Sequence, residues 1–248
     1  MPASVVLLHG LRTSSTMWRR QVTELEAAGI PAVAIDLPGH GHRMSERFSL
    51  DAARATIADA VAGAATSGHR PYLAGLSLGG YLAIDWVAQN PDRVCGVLAA
   101  SCGTTPHRAI LDGWRVLARG IHALPDRGRA LNDFMLRLMV RSVPVDDVLA
   151  GGVALEVMDD VLRELRHVHP MRSLPEVDVP VLFVNGRLDH FRLQAASYLA
   201  ATPRGRLVTV AGASHLVSIV RPREFTEALL DGYAEATVGA QESERRQS

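Results

Sequence analysis

One six-residue segment, residues 75–80 with the sequence GLSLGG, constrains this chain more than any other part of it. An apolar run typical of a buried strand precedes it, and a helical pattern begins directly after it. The pattern predicts a strand, a sharp turn and a helix, with the hydroxyl of Ser77 lifted above the sheet. A side chain at Gly75 or Gly79 would clash with the neighbouring strand or helix in so tight a turn. The alternative is a glycine-rich turn with an incidental serine, and the flanking strand and helix argue against it.

Apolar, β-branched runs alternate with segments of helical period along most of the 248 residues. The predicted strands are residues 4–8, 31–35, 71–75, 94–100, 179–185 and 206–210. The predicted helices between and after them are residues 16–28, 50–67, 79–89, 191–201 and 222–236. Strands separated by helices indicate an α/β fold, with a mostly parallel sheet of about six strands covered by helices on both faces.

The stretch from residue 104 to residue 170 interrupts this alternation, because it contains no convincing strand. Its predicted helices are residues 106–119, 127–141 and 145–167. So long a connection between two strands of one sheet is not a simple crossover, and we predict an inserted helical cap over residues 104–170. The predicted core is then residues 1–103 and 171–238, and the polar residues 239–248 are predicted to form a disordered tail.

The charge balance argues against a nucleic-acid or anionic-membrane partner, since 26 basic residues offset 26 acidic ones. All the basic residues are arginine, which we attribute to coding in a GC-rich bacterial genome. No stretch approaches about 18 consecutive apolar residues, and the first strand begins too early for a signal peptide, so we predict no membrane span and a cytoplasmic location. Cys95 and Cys102 lie near the two ends of one predicted strand, too far apart for a disulfide, and we expect them to fill small gaps in the core.

A serine hydroxyl is a poor nucleophile unless a base lies within hydrogen-bond reach and an acid orients that base. In a parallel sheet those partners lie on loops at the carboxyl ends of strands. The loop after strand 179–185 carries Asp189, and the loop after strand 206–210 carries His215. The chain order Ser77, Asp189, His215 is the order expected when the nucleophile lies on such a turn.

Each of these partners has an alternative role. Asp189 could instead cap a helix that starts near Phe191, and His215 could be an exposed loop residue among the ten histidines of the chain. Their occurrence together with Ser77, in the right order and after successive strands, favours a catalytic Ser-His-Asp triad over both alternatives.

The oxyanion that forms when a carbonyl carbon is attacked needs N–H donors aimed at it. Leu78 begins the helix after the serine, so its backbone N–H is one predicted donor. The loop after strand 4–8 supplies the second, from the N–H of Leu11, and Gly10 lets the backbone approach the substrate. We expect neighbouring His9 to be buried and to fix this loop.

These motifs together resemble the α/β-hydrolase family. His9-Gly10, the Ser77 turn, the Asp189 loop and the His215 loop follow the family's order, and the segment 36–41, DLPGHG, stands between the first two. The resemblance covers nearly the whole chain apart from the cap. It implies a serine hydrolase that cleaves a carboxylic ester or related acyl bond of a small molecule. No clustered Cys/His ligand spacing or dinucleotide fingerprint is present, so no metal or organic cofactor is expected.

The resemblance leaves other activities open, because in relatives the same triad serves thioesterases, lactonases, carbon–carbon bond hydrolases, non-heme haloperoxidases and lyases. One subgroup, an elimination enzyme of menaquinone biosynthesis, usually carries arginine directly after the glycine pair, where Tyr81 stands here. Other relatives are ligand receptors with little turnover, which an intact triad argues against. The sequence predicts neither the identity of the substrate nor the oligomeric state.

The sequence also departs from the family's pattern. We expect no opening antiparallel hairpin, and Arg12 and Arg43 replace residues that are usually small, aromatic or serine. Both guanidinium groups could bind a carboxylate or phosphate of the substrate, or could lie in solvent. In the cap, Trp114 could face the substrate, and the apolar stripe that includes Met135 and Met139 could pack on the core or roof the pocket.

Overall fold

The sheet has the predicted architecture. The computed structural model describes residues 2–66, 69–140 and 146–247, and the side chains of residues 135, 137–139 and 241–247 lie outside that description. Six parallel strands pair in the order β2-β1-β3-β4-β5-β6. They are β1 (Val5–Leu8), β2 (Ala32–Ile35), β3 (Tyr72–Leu76), β4 (Gly96–Ala100), β5 (Val181–Gly186) and β6 (Gly205–Val210). Every strand lies where the sequence predicts one, so the predicted α/β fold with about six strands is confirmed.

Helices connect the strands and cover the sheet. In the described residues the α-helices are α1 (Arg19–Ala27), α2 (Leu50–Ala64), α3 (Leu78–Gln89), α4 (Arg108–His122), α5 (Arg129–Met139), α6 (Asp146–Ala150), α7 (Met158–Glu164), α8 (Pro170–Ser173), α9 (Ala195–Ala201), α10 (Val217–Val220) and α11 (Pro222–Gln247). The start of α2 shows how local chemistry sets these bounds, because the Ser49 side chain accepts a hydrogen bond from the N–H of Ala52 and so caps the helix. Among residues 2–66, 69–140 and 146–247, every helix is too short or too polar to span a bilayer.

Two apolar cores lie on opposite faces of the sheet because successive side chains of a strand point in opposite directions. Val6 and Leu8 of β1 belong to the core that α2 and α3 cover, together with Trp86. Val5 and Leu7 belong to the core that α1 and α11 cover. All four residues of β1 are fully buried, which explains why its sequence is a continuous apolar run rather than an alternating one.

The bounds of several predicted helices differ from the structure. The single helix predicted over residues 145–167 is wrong, because α6 ends at Ala150 and α7 begins only at Met158. Gly151 and Gly152 follow α6, and Gly152 has a φ of 79°, a left-handed conformation that stops the helix and that glycine adopts without strain. The helix predicted over residues 191–201 likewise begins later, with α9 at Ala195 after a short 3-10 helix.

The carboxyl-terminal helix also continues further than the sequence suggests. We predicted a disordered tail over residues 239–248, whereas α11 continues to Gln247. The alanine, glutamine, glutamate and arginine residues of this segment have high helix propensity, and no proline follows to end the helix. The division into a core and a cap over residues 104–170 stays a prediction, although α4 to α7 all lie between β4 and β5.

A partly buried ion pair holds α2 against α3. The Arg54 guanidinium donates to both carboxylate oxygens of Asp85, over 2.9 and 3.2 Å. The Asp85 side chain is only 7% exposed, so it depends on this partner and on Gln89, which also donates to it. Such a pair resists separation because either charge alone would be poorly solvated.

We expect Asp85→Ala to lower the free energy of unfolding by about 1–3 kcal/mol, because the Arg54 guanidinium then loses its best acceptor. The matched control is Asp51→Ala, since Asp51 also lies near Arg54, at 3.6 Å, but its side chain is 96% exposed. Urea unfolding of both variants measures the difference. Equal losses in the two variants would contradict a structural role for the buried pair.

Candidate active site

The turn that carries Ser77 is held by close backbone contacts. Ser77 lies between β3 and α3 with φ 54° and ψ −112°, and its N–H donates to the carbonyl of Ala100 over 2.8 Å. A Cβ atom at Gly75 would clash with the backbone of Gly79, and one at Gly79 would clash with the backbone of Leu8. Only glycine fits both positions, so this strained serine conformation depends on the glycines that flank it.

Three loops bring the predicted triad residues together. The Nε2 atom of His215 lies 2.9 Å from the hydroxyl oxygen of Ser77. Its Nδ1 atom lies 3.1 Å from one carboxylate oxygen of Asp189 and 3.3 Å from the other. These loops follow β3, β5 and β6, so the contacts form at the carboxyl edge of the sheet.

Asp189 fulfils both of the roles that the sequence left open. Its carboxylate accepts a hydrogen bond from the N–H of Phe191 over 2.9 Å and so caps the short 3-10 helix there. The same carboxylate faces His215, and its side chain is fully buried. Burial opposes ionisation, but the hydrogen bonds from His215 and Phe191 and the charge of His215 outweigh it and hold the pKa of Asp189 below its ordinary value.

Two residues that the sequence reasoning missed support His215. The Ser101 hydroxyl donates to the backbone carbonyl of His215 over 2.7 Å, and the Phe191 ring packs on the imidazole with 4.6 Å between ring centroids. Ser101 directly follows β4, the strand between those that carry Ser77 and Asp189. Its place at the carboxyl end of a central strand was therefore a usable signal.

The two predicted oxyanion donors, Leu11 and Leu78, have N–H groups without a backbone acceptor in the described part of the chain. The Gly10 carbonyl instead accepts from both the N–H and the hydroxyl of Thr13, over 3.3 and 2.8 Å. A Cβ built on Gly10 would lie 3.7 Å from the Cβ of Ser77, so this loop lies next to the serine.

A pair of buried histidines supports that loop from behind. The Nε2 atom of His9 accepts from the N–H of Leu37 over 3.0 Å, so its Nδ1 carries the hydrogen that faces the Gly10 carbonyl at 2.8 Å. The His40 ring lies 4.8 Å from the His9 ring, between centroids. Burial, and then the neighbouring His40, lower the pKa of His9 to about 3, and burial lowers the pKa of His40 to about 4. Both imidazoles are therefore neutral at pH 7, and His9 is buried as the sequence predicts.

The remaining predicted binding residues have different surroundings. The Arg43 guanidinium donates to both carboxylate oxygens of Glu46, over 2.7 and 2.6 Å, and to the Thr56 hydroxyl. Arg12 has a φ of 66° and is partly buried. Trp114 is 50% exposed on α4. The side chains of Met135 and Met139 lie outside the described part of the chain, so their predicted contact with substrate stays a prediction.

The described part of the chain also gives the surroundings of the cysteines and of Tyr81. No group of three or more His, Cys, Asp or Glu side chains there could hold a metal ion. Cys95 and Cys102 are both free and buried, and burial raises the pKa of each thiol. Tyr81, which stands where one subgroup carries arginine, is buried and donates to the Thr104 carbonyl.

Comparison with known proteins decides the family. The model of the Alpha/beta hydrolase family matches residues 5–228. The chain belongs to this family.

Curated relatives of this α/β hydrolase include named esterases. It is 24% identical to Esterase PIR7B from Oryza sativa subsp. japonica, over 91% of this chain and 93% of that protein. It is 28% identical to the pimeloyl-[acyl-carrier protein] methyl ester esterase of Neisseria meningitidis serogroup A, over 92% of this chain and 78% of that protein.

Solved structures share the fold. An esterase from Thermogutta terrifontis superposes with a TM-score of 0.79 at 20% identity, covering 96% of this chain and 91% of that one. The enol-lactonase of Burkholderia xenovorans LB400 superposes with a TM-score of 0.76 at 22% identity, covering 94% and 92%. At this identity the likeness supports the fold and not the substrate.

The buried histidines predict a loss of stability in mild acid. Below about pH 6.5 the imidazoles of the unfolded chain bind protons, whereas His9 and His40 in the folded chain stay neutral down to about 3 and about 4. The unfolded state then binds more protons, so the free energy of unfolding falls as pH falls. The loss is about 2 kcal/mol for each histidine between about pH 6.5 and about pH 5.

Urea unfolding at pH 7 and pH 5 measures this loss. We expect His40→Gln to reduce the difference between the two pH values by about half, because one of the two buried imidazoles is gone. The matched control is His42→Gln, which removes an exposed imidazole two residues away and should keep the wild-type difference. If His40→Gln kept the wild-type difference in the free energy of unfolding between pH 7 and pH 5, buried His40 would not be a source of the acid sensitivity.

Proposed function

We propose that this α/β hydrolase cleaves a carboxylic ester of a small molecule through an acyl-enzyme on Ser77. The observation that carries the proposal is the continuous hydrogen-bonded contact from Ser77 to His215 to Asp189, at 2.9 and 3.1 Å. A serine, a base and a buried acid in that order are the groups that acyl transfer requires. The named esterases among the relatives support an ester over other acyl bonds.

In the first half of the reaction, Ser77 Oγ attacks the ester carbonyl carbon while His215 Nε2 takes its proton. Asp189 stabilises the imidazolium that forms, since its lowered pKa keeps it ionised at neutral pH. The N–H groups of Leu11 and Leu78 donate to the carbonyl oxygen as it becomes an oxyanion. The tetrahedral intermediate then releases the alcohol, which takes the proton from His215, and leaves the acyl group on Ser77.

In the second half, a water molecule replaces the alcohol. His215 Nε2 takes a proton from the water as its oxygen attacks the acyl carbon, and the same two N–H groups stabilise the second oxyanion. The intermediate expels Ser77 Oγ, which regains a proton from His215. The carboxylic acid leaves, and the proposed steps use only Ser77, His215, Asp189 and the two N–H groups.

The segment over residues 104–170 would act as a cap that selects the substrate. The charged face of α4 turns towards α7, where Arg115 and Arg119 pair with Asp159 at 3.0 and 3.2 Å. Among the apolar side chains of α4, Ile110, Trp114 and Leu117 are exposed, and their spacing of four and three residues places them on one face of the helix. An exposed apolar face suits the hydrocarbon part of an ester, and we propose that this one faces the entrance to the site. The cytoplasmic location favoured by the sequence stays a prediction.

Substitution of the triad tests the activity. We expect Ser77→Ala to lower kcat for p-nitrophenyl butyrate by at least about 10⁴-fold, and Asp189→Asn by about 10³–10⁴-fold, because each removes a group on which proton transfer depends. Intact mass after fluorophosphonate treatment should show one adduct on the wild type and none on Ser77→Ala.

The matched control is His169→Gln, which removes an exposed imidazole distant in the chain from the triad. Circular dichroism and Tm establish that each variant is folded. Full activity in folded Ser77→Ala would rule out the acyl-enzyme on this residue.

Trp114 tests the role of the cap. We expect Trp114→Ala to lower kcat/KM for p-nitrophenyl octanoate relative to p-nitrophenyl acetate by about 5–10-fold, because the long acyl chain loses an apolar contact of about 1–1.5 kcal/mol. Val116→Ala is the control on the same helix, since Val116 is 69% exposed and lies two residues away, on a different face. An equal change in both variants would argue that this face of α4 does not meet the acyl chain.

A further inference from the structure

The two arginines that depart from the family's pattern, Arg12 and Arg43, differ in whether their guanidinium groups have an anionic partner within the protein. The Arg43 guanidinium forms a two-point ion pair with Glu46 and donates its remaining face to Thr56. Its pKa is raised chiefly by the hydrogen bond with Glu46. Glu46 is therefore the counter-ion of Arg43, and the guanidinium has few free N–H donors with which to bind a substrate.

Arg12 has no such partner. Among the described residues, no carboxylate pairs with its guanidinium and no acceptor takes a hydrogen bond from it, and burial is the only influence on its pKa, which it lowers. A partly buried guanidinium without an anion is unfavourable, because it has lost water and gained nothing in exchange.

The backbone of Arg12 is equally unfavourable for its residue type. The N–H of Thr13 donates to the Gly10 carbonyl over 3.3 Å, which closes a four-residue turn with Arg12 at its third position. The φ of Arg12 is 66°, and a turn with a left-handed third residue ordinarily takes glycine there. Both the unpaired guanidinium and the left-handed backbone therefore disfavour arginine at this position. A residue that is unfavourable in both respects is typical of a functional site.

The position of this turn connects Arg12 to the reaction. Leu11, the preceding residue, is one of the two proposed oxyanion donors, and Gly10 lies next to Ser77. On the other side, the Arg12 carbonyl accepts from the N–H of Ala154 over 3.3 Å, so the turn lies between the serine and the segment that follows α6. A substrate whose carbonyl oxygen meets the Leu11 N–H therefore has its neighbouring atoms close to residue 12.

We propose that Arg12 binds an anionic group of the substrate, a carboxylate or a phosphate, and that this hydrolase prefers esters that carry such a group over neutral esters of the same length. The proposal rests on the ester hydrolase function proposed above and specifies its substrate class. A guanidinium donates two parallel hydrogen bonds to either anion, and the missing counter-ion is then supplied by the substrate.

A pair of matched esters tests the preference. p-Nitrophenyl butyrate and mono-p-nitrophenyl succinate share a four-carbon acyl chain, and only the second carries a carboxylate. We expect the ratio of their kcat/KM values, succinyl over butyryl, to fall by about 10–100-fold in Arg12→Met and in Arg12→Gly, and by less in Arg12→Lys. Arg12→Gly relieves the left-handed backbone, so its Tm should not fall, which separates loss of selectivity from loss of folding.

The control variant is Arg93→Met. Arg93 is exposed and precedes β4, so it lies at the amino edge of the sheet, opposite the triad, and its removal should leave the ratio unchanged. A ratio that stays at the wild-type value in both Arg12→Met and Arg12→Gly would overturn the proposal.

Binding without turnover separates this proposal from the function on which it rests. Succinate and inorganic phosphate are each titrated into folded Ser77→Ala and into the double variant Ser77→Ala/Arg12→Gly, and the rise in Tm is measured. A rise in Tm with succinate alone identifies the bound group as a carboxylate, and a rise with phosphate alone identifies it as a phosphate. In either case the rise must vanish in the double variant. A rise that persists in the double variant, or no rise with either anion, counts against Arg12 even if the wild type hydrolyses both esters. If the wild type hydrolyses neither ester, the hydrolase function fails, and a rise that depends on Arg12 still identifies an anion site.

Discussion

The close approach of three backbone segments around the turn at Ser77 is the constraint on which the rest of the site depends. The turn fits only because Gly79 has no side chain, which lets its N–H donate to the His9 carbonyl over 3.1 Å. On the opposite side the N–H of Ser77 donates to Ala100 in β4. The serine is thereby fixed between β1 and β4, at a φ that costs on the order of 1–3 kcal/mol. The same contact sets the loop after β1 beside the serine, so one set of backbone contacts positions both Ser77 and the two proposed oxyanion donors.

The sequence predicts much of this because each part of it has a local signature. Strands buried on both faces are continuous apolar runs, so all six were recognisable, and GLSLGG marks its own turn. The predicted triad residues meet because the topology of a parallel sheet brings the ends of β3, β5 and β6 to one edge. Non-local contacts are harder to foresee, and Ser101 shows why. Its hydroxyl meets the His215 carbonyl across 114 positions of sequence, a partnership that no spacing rule encodes.

The segment between β4 and β5 was predicted least well, for a related physical reason. Helix bounds there depend on how short helices dock, and the helical pattern over residues 145–167 continues across Gly151 and Gly152, where the chain turns away. Gly151 packs closely on Ser14, because a Cβ atom at this position would clash with the Ser14 side chain. The Gly151 N–H also donates to the Thr16 hydroxyl over 3.2 Å. The stop is thus set by contact with the loop after β1 and not by propensity alone.

Strained backbone conformations and an unpaired guanidinium group occur together at the carboxyl edge of the sheet. Four non-glycine residues of the described chain have a positive φ, and three of them, Arg12, Ser77 and Ser101, follow β1, β3 and β4 in turn. Ser77 offers its hydroxyl to His215, and Ser101 offers its hydroxyl to the backbone that carries His215, so the strain at both positions is offset by a contact within the protein. Arg12 has the same strained backbone and no such contact. A partly buried cation costs free energy until an anion reaches it, and this is the physical basis for the proposal that the substrate supplies the anion for Arg12.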